Sequence, residues 1–142
     1  MISQTYASKI LNAMFGVSDS ISLPTTLYLG LCANEPTAST GAVTGEPTAE
    51  GYARKAVGGS SATKLFGTAS GGKITNSSEI QFPTVREAAG VQNYFFISDS
   101  PTGNAIAWGT LSGYITTTGI TENTVPTFFA GELDFSLDVD LS

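Results

Sequence analysis

Residues 94–111 read YFFISDSPTGNAIAWGTL, two apolar runs around the turn-rich segment Asp99-Ser100-Pro101-Thr102-Gly103-Asn104. Pro presets φ for a turn, Gly tolerates positive φ, and Asp and Asn hydrogen-bond their own backbone. The run Tyr94-Phe95-Phe96-Ile97 is aromatic and β-branched with no polar interruption. That is the pattern of a strand buried on both faces, and so of a central strand rather than an edge. In the return run Ala105, Ala107 and Gly109 alternate with Ile106 and Trp108, making one face small and the other bulky. The spacing predicts a hairpin at the middle of an all-β core.

The same alternation recurs on either side. Residues 26–33 (TLYLGLCA) predict a strand with Leu27, Leu29 and Leu31 on one face and Tyr28, Gly30 and Cys32 on the other. Residues 52–57 (YARKAV) predict a strand near an edge, because Arg54 and Lys55 are consecutive. Short strands are expected at 64–66, 73–75, 79–82 and 127–130, with Pro83 ending the third and Ile80 and Phe82 sharing a face. Residues 85–90 predict a helical turn, and residues 113–118 (GYITTT) a Thr-rich edge strand. Residues 132–139 (ELDFSLDV) alternate Leu133, Phe135, Leu137 and Val139 inward with Glu132, Asp134, Ser136 and Asp138 outward. Short strands separated by turn signals predict an antiparallel β-sandwich, jelly-roll-like, as a single domain over residues 1–142.

Two segments stand outside this pattern. Residues 3–15 predict the one short N-terminal helix, capped by Ser3 or Thr5 and followed by Gly16. Its apolar positions Tyr6, Ile10, Ala13 and Met14 fall at helical spacing, widened by Leu11 and Phe15. The stripe either lids the β core or packs on a neighbouring subunit. Residues 34–51 predict a long loop without apolar periodicity, expected to be functional or mobile and the first site of proteolysis in a lone subunit.

Composition narrows the function. The chain of 142 residues is 41% hydrophobic but only 13% charged, with a net charge of −6. About a quarter is usual for the charged share of a soluble domain, so Thr, Ser and Gly must cover much of this surface. The basic residues form no stripe, which argues against nucleic acid, and the negative charge argues against an anionic membrane surface. No segment has the roughly 20 apolar residues of a membrane-spanning helix, and no secretion signal is expected. Synthesis in a cytoplasm is expected.

The absence of His removes Ser-His-Asp triads, Cys-His pairs and imidazole metal sites. Glu132, Asp134 and Asp138 share a strand face and read as a solvated surface. Asp138 with Asp140 could offer a weak calcium site but lacks EF-hand spacing, so no metal is assigned. Gly58-Gly59 and Gly71-Gly72 fit turns and match no phosphate-binding loop. Asn76-Ser77-Ser78 has sequon form, without consequence in a bacterial cytosol. Cys32 reads as a small buried hydrophobe and Trp108 as a core residue. No catalytic residue and no cofactor is expected, so the protein reads as a non-enzyme.

An ordered set of segments carries a resemblance. Leu27-Tyr28-Leu29-Gly30-Leu31 leads into Asn34-Glu35-Pro36, and Glu46-Pro47 into Gly51-Tyr52-Ala53-Arg54. Ile80-Gln81-Phe82-Pro83, Phe96-Ile97-Ser98-Asp99-Ser100, Gly103-Asn104-Ala105-Ile106-Ala107-Trp108-Gly109 and Ala130-Gly131-Glu132-Leu133 follow. Over roughly residues 3–139 the chain resembles small structural proteins of tailed-bacteriophage virions, of tail-fibre or head-decoration type. The resemblance implies a non-enzymatic virion component, made in the host cytoplasm and exposed on the particle as a homo-oligomer, with a trimer as one arrangement. Without a fibre shaft the chain is expected to decorate or cement the capsid, with the major capsid protein as partner. The alternative is a tail fibre or tail-tip protein, with tail proteins as partners, that binds a host surface carbohydrate. Candidate interface residues are Tyr6, Ile10, Met14 and Phe15 on the helix, with Glu35 and Glu46 on the loop. Tyr52, Trp108 and Tyr114 are the candidate sugar platform.

Overall fold

The computed structural model describes residues 1–17, 22–60 and 62–136. Its centre is the hairpin expected from residues 94–111. Strand β5 (Tyr94–Ser98) pairs antiparallel with β6 (Ala107–Thr110) on one side and β1 (Leu27–Cys32) on the other. Strand β2 (Lys55–Gly58) pairs with β1, so the sheet order is β2-β1-β5-β6. The uninterrupted aromatic run is thus interior, and the Arg-Lys pair lies at the sheet edge.

The alternation is used on both faces. Leu29, Leu31, Val57 and Phe95 point into a core shared with Ile80, Phe82, Val85, Ile120, Phe128 and Leu133. Cys32, Phe96, Ala105 and Trp108 form a second, smaller cluster on the other face. Register explains the small residues. Gly30 faces Phe96 across β1 and β5, and a side chain on Gly30 would collide with that ring. Gly109 faces Phe95, whose Cζ lies 2.6 Å from where a Cβ would sit. Each glycine makes room for one aromatic ring from the neighbouring strand.

Two short ribbons complete the core. Strand β3 (Lys73–Thr75) pairs antiparallel with β8 (Asp134–Ser136), and β4 (Ile80–Gln81) with β7 (Thr127–Phe128). Phe135 of β8 packs edge-on against Phe95 at 5.0 Å and tilted against Phe66 at 5.8 Å. The inward-outward pattern of residues 132–136 holds, while Leu137, Val139, Asp138 and Asp140 lie outside the described residues. Gly71 and Gly72, at φ +60° and +75°, form the tight turn between Ser70 and Lys73. The fold is mostly β, antiparallel throughout its sheets, with an N-terminal helix.

Three local expectations are corrected. Residues 113–118 are not an edge strand, because α2 (Tyr114–Thr117) is a short helix. Thr116 Oγ1 donates to the Gly113 carbonyl at 2.7 Å, so the hydroxyls bond the local backbone instead of leaving it for a strand partner. Residues 85–90 make no helical turn. Val85 N–H donates to Thr124 O at 2.8 Å and Ala89 N–H to Ile120 O at 2.9 Å, which holds this segment extended beside residues 120–124. Of residues 64–66 only Phe66 bridges, to Asn76.

The N-terminal helix is α1 (Gln4–Met14), capped by Ser3, whose Oγ accepts from Tyr6 N–H. Gly16 follows at φ +67°. Residues 1–3 run along the outer edge of β6: Trp108 N–H donates to Met1 O at 2.8 Å and Ser3 N–H to Ile106 O at 2.9 Å. The start of α1 is tied to the loop as well, through Gln4 N–H to Ala38 O at 2.9 Å. No residue of the helix itself is buried.

Residues 34–51 contain neither helix nor strand, as expected, but they are fastened. Ala33 N–H donates to Gly45 O at 3.0 Å and Ala105 N–H to Gly41 O at 2.7 Å. Gly41 has φ +77°, and a Cβ there would strike the Ala105 carbonyl. This loop lays Val43 over the Cys32, Phe96, Ala105 and Trp108 cluster, and so roofs the second face of the sheet.

Candidate functional site

The loop is anchored by a buried charge. Arg54, at the entry to β2, has a side chain only 3% exposed. Its Nε and Nη2 donate to Glu46 at 2.8 and 2.9 Å, a bidentate pair. Nη1 donates to the carbonyls of Ser100 and Gly103, both at 2.9 Å, and the guanidinium stands 4.7 Å from the centre of the Phe96 ring. Tyr52 completes the network: its hydroxyl donates to Glu46 Oε2 and accepts from Leu31 N–H, both at 3.0 Å. One side chain thereby joins the long loop, the sheet and the β5–β6 turn.

This network accounts for two of the expected site residues. Glu46 is committed to Arg54 and Tyr52, and Tyr52 stacks its ring near Phe82 at 6.2 Å. Trp108 is 2% exposed, and its Nε1–H donates to Glu35 at 3.3 Å, which turns that loop carboxylate back onto its own subunit. Of the three aromatic platform candidates only Tyr114 is exposed, at 63%. On α1, Met14 and Phe15 are exposed at 74% and 77%, together with Leu11 at 54%, while Tyr6 and Ile10 are half-buried.

Burial also raises the pKa values of Cys32, Tyr52 and, less deeply placed, Tyr6. Desolvation, with Glu46 nearby, pushes the Cys32 thiol from 9.0 up to about 12. Desolvation pushes the Tyr52 phenol upward too. The fold therefore favours the neutral forms, while the unfolded chain ionises at ordinary values. Stability should be flat between pH 7 and 9 and decline as pH rises from 9 towards 12, with Cys32 the first contributor. Urea-unfolding midpoints between pH 7 and pH 11 check this, and Cys32→Ala should delay the decline into the tyrosine range. A wild-type midpoint unchanged up to pH 10.5 would show that the thiol reaches water.

Beside Tyr114 lies a cleft of about 500 Å³. Its walls come from the end of β6 (Thr110), the following turn (Ser112), α2 (Tyr114, Ile115), β7 (Thr127) and Glu132. Glu132 is held in place by Phe129 N–H, which donates to Oε2 at 2.8 Å. Asn76, of the sequon-like triplet, staples the segment that carries Glu132. It is 2% exposed, donates from Nδ2 to Phe129 O at 2.9 Å and Ser78 O at 3.0 Å, and accepts from Leu133 N–H at 2.9 Å. Residue-level reading of the sequence missed this staple, since the triplet carries no periodicity. Among the described residues no group of three or more His, Cys, Asp or Glu side chains could hold a metal ion, and no helix is long and apolar enough to cross a membrane.

Over residues 1–136 the sequence matches the family model described as podophage GP4 fiber I protein gp80. The chain belongs to this family. No curated protein matches it. Membership agrees with the resemblance to tailed-phage virion components. It also corrects the expected placement: capsid decoration finds no support in the match, and the family is named for a fibre. The expectation rested on the missing shaft, yet a fibre can be assembled from several chains, so the reach of one compact chain does not decide where it sits. Among the described residues of this fibre family member, the end of α1 and the Tyr114 ring beside its cleft are exposed to solvent.

Proposed function

We propose that the protein is a non-enzymatic fibre subunit exposed on a tailed-phage virion, assembled with copies of itself through α1 and joined to tail proteins. The observation that carries this is the exposed apolar end of the helix: Leu11, Met14 and Phe15 stand at i, i+3 and i+4, all more than half exposed. An isolated helix of 11 residues is marginal in water. This one contributes no buried residue to its own subunit, so packing on a neighbour is what would stabilise it. Tyr6 and Ile10 extend the stripe towards the body. Closed symmetric assemblies are the usual outcome for such surfaces, and a trimer around three helices is one that fits. The four-stranded sheet covering one side of the main core, with the two ribbons on the other, supports a β-sandwich body.

Light scattering after size exclusion tests the assembly. The wild-type protein should elute as an oligomer, and Leu11→Glu with Phe15→Glu as a monomer whose β body still folds but whose melting temperature falls with the loss of the helix packing. A monomeric wild type, or an oligomer indifferent to both charges, would remove α1 from the interface. Density for this subunit in the intact particle, sought at the tail, checks its location.

As a fibre subunit the protein would meet the host surface, and the reading extends to a surface carbohydrate as its target. The exposed Tyr114 ring beside a cleft of about 500 Å³ supports that extension.

A further inference from the structure

We infer that the cleft between α2 and β7 binds a neutral saccharide unit, with Tyr114 as its stacking ring and Glu132 as the acceptor for its hydroxyls. The inference rests on the carbohydrate reading above and names its site and its ligand class. Size comes first: the cleft holds about 500 Å³, within the roughly 300–1,000 Å³ usual for small-molecule pockets.

Its chemistry is mixed in the way a sugar requires. Leu111, Ile115, Ile120 and Phe128 form apolar walls, and Tyr114 adds an accessible aromatic ring for the C–H face of a pyranose. Polar groups stand among them. The Phe129 amide fixes Glu132 Oε2, which leaves Oε1 for a ligand hydroxyl without reorganisation of the carboxylate. Thr110 and Ser112 line the same space and carry hydroxyls.

Charge selects the class. Among the described residues no Lys or Arg lines the cleft, and the charged side chain that does is the carboxylate of Glu132. An acidic sugar or a phosphate would meet a like charge with no cation to offset it. A wholly apolar ligand would strip water from the carboxylate and the hydroxyls and give nothing in return. A neutral pyranose satisfies both walls.

The experiment uses the full chain on an array of neutral and acidic bacterial-type oligosaccharides, containing glucose, galactose, rhamnose, N-acetylglucosamine and uronic acids. In parallel, the protein competes with phage adsorption to host cells. Binding to neutral glycans is expected, weakened at least tenfold by Tyr114→Ala and by Glu132→Gln, which keeps an acceptor for the Phe129 amide. Both variants should melt as the wild type does. Binding confined to acidic glycans, or neutral binding unchanged in both variants, would overturn the assignment. So would wild-type competition at host cells that Tyr114→Ala retains in full, although host recognition itself would then stand. No glycan binding and no competition would remove both the cleft and the carbohydrate reading.

Discussion

Glu46→Ala is expected to destabilise the fold by about 3 kcal/mol, within the range found when one partner of a buried ion pair is removed. The reason lies with the partner left behind. Arg54 is 3% exposed and cannot lose its proton, so the variant holds an uncompensated guanidinium over the Phe96 ring. The two carbonyls of Ser100 and Gly103 and the π face remain, but all are weak substitutes for a bidentate carboxylate. Tyr52 loses its acceptor in the same step. Glu46 is itself 25% exposed, which places the effect towards the lower end of the range. Glu46→Gln should fall between, since it keeps an acceptor but removes the charge. Urea unfolding of the three proteins measures this. A loss below about 1 kcal/mol for Glu46→Ala would mean that water reaches Arg54 in solution, as it does in surface pairs.

The fastening of residues 34–51 would fail along with the pair. In Glu46→Ala the loop should become the first site of proteolysis, whereas in the wild type its hydrogen bonds to residues 4, 33 and 105 and the Glu46 anchor protect it. Early cleavage was the sequence-based expectation for the lone subunit. With the loop hydrogen-bonded to the body, cleavage is expected there only once the Glu46 carboxylate is removed.

Asn76→Ala is expected to cost about 3–5 kcal/mol, from three side-chain hydrogen bonds lost and a buried amide left unpaired. The amide side chain bonds the carbonyls of Ser78 and Phe129 and the N–H of Leu133, and the Asn76 backbone pairs with Gly131 and Leu133 as well. Alanine keeps the backbone contacts but strands the Leu133 N–H beside a 2%-exposed leucine in the core. Asn76→Asp should be no better: its oxygens can accept from Leu133 but face the two carbonyls that the amide had served. Hydrogen exchange at Leu133 gives the local reading. An unchanged exchange rate in Asn76→Ala would show that the turn at residues 129–133 holds itself together. Because Glu132 sits in that turn, loss of the staple should also loosen the cleft wall.

Much of the architecture was legible in the order of residues. The hairpin of β5 and β6, the central place of Tyr94-Phe95-Phe96-Ile97, the two faces of β1 and the Ser3-capped helix all follow from local patterns. A strand exposes its faces with a period of two and a helix with one of 3.6, so neighbouring residues suffice to state them. Where local chemistry offered two solutions, the reading failed. The Thr-rich GYITTT suits a strand by propensity, yet its hydroxyls found the Gly113 carbonyl and closed a helical turn.

The candidate site was legible only in part. Arg54 followed by Lys55 marks an edge strand, and β2 is one; that the Arg54 side chain is buried depends on Glu46, Ser100, Gly103 and Phe96, which come from three other segments. Tyr52, Trp108 and Tyr114 look alike as aromatic residues in a sequence. The fold gives the first a hydroxyl network and the second a roof of loop, and leaves the third in water. Local pattern alone was enough for the β1, β5 and β6 strands, the N-terminal helix and the absence of imidazole chemistry. The tertiary structure alone decided which charge is buried, which ring is free and where a cleft opens, because burial is set by what distant segments place on a side chain rather than by its neighbours along the chain.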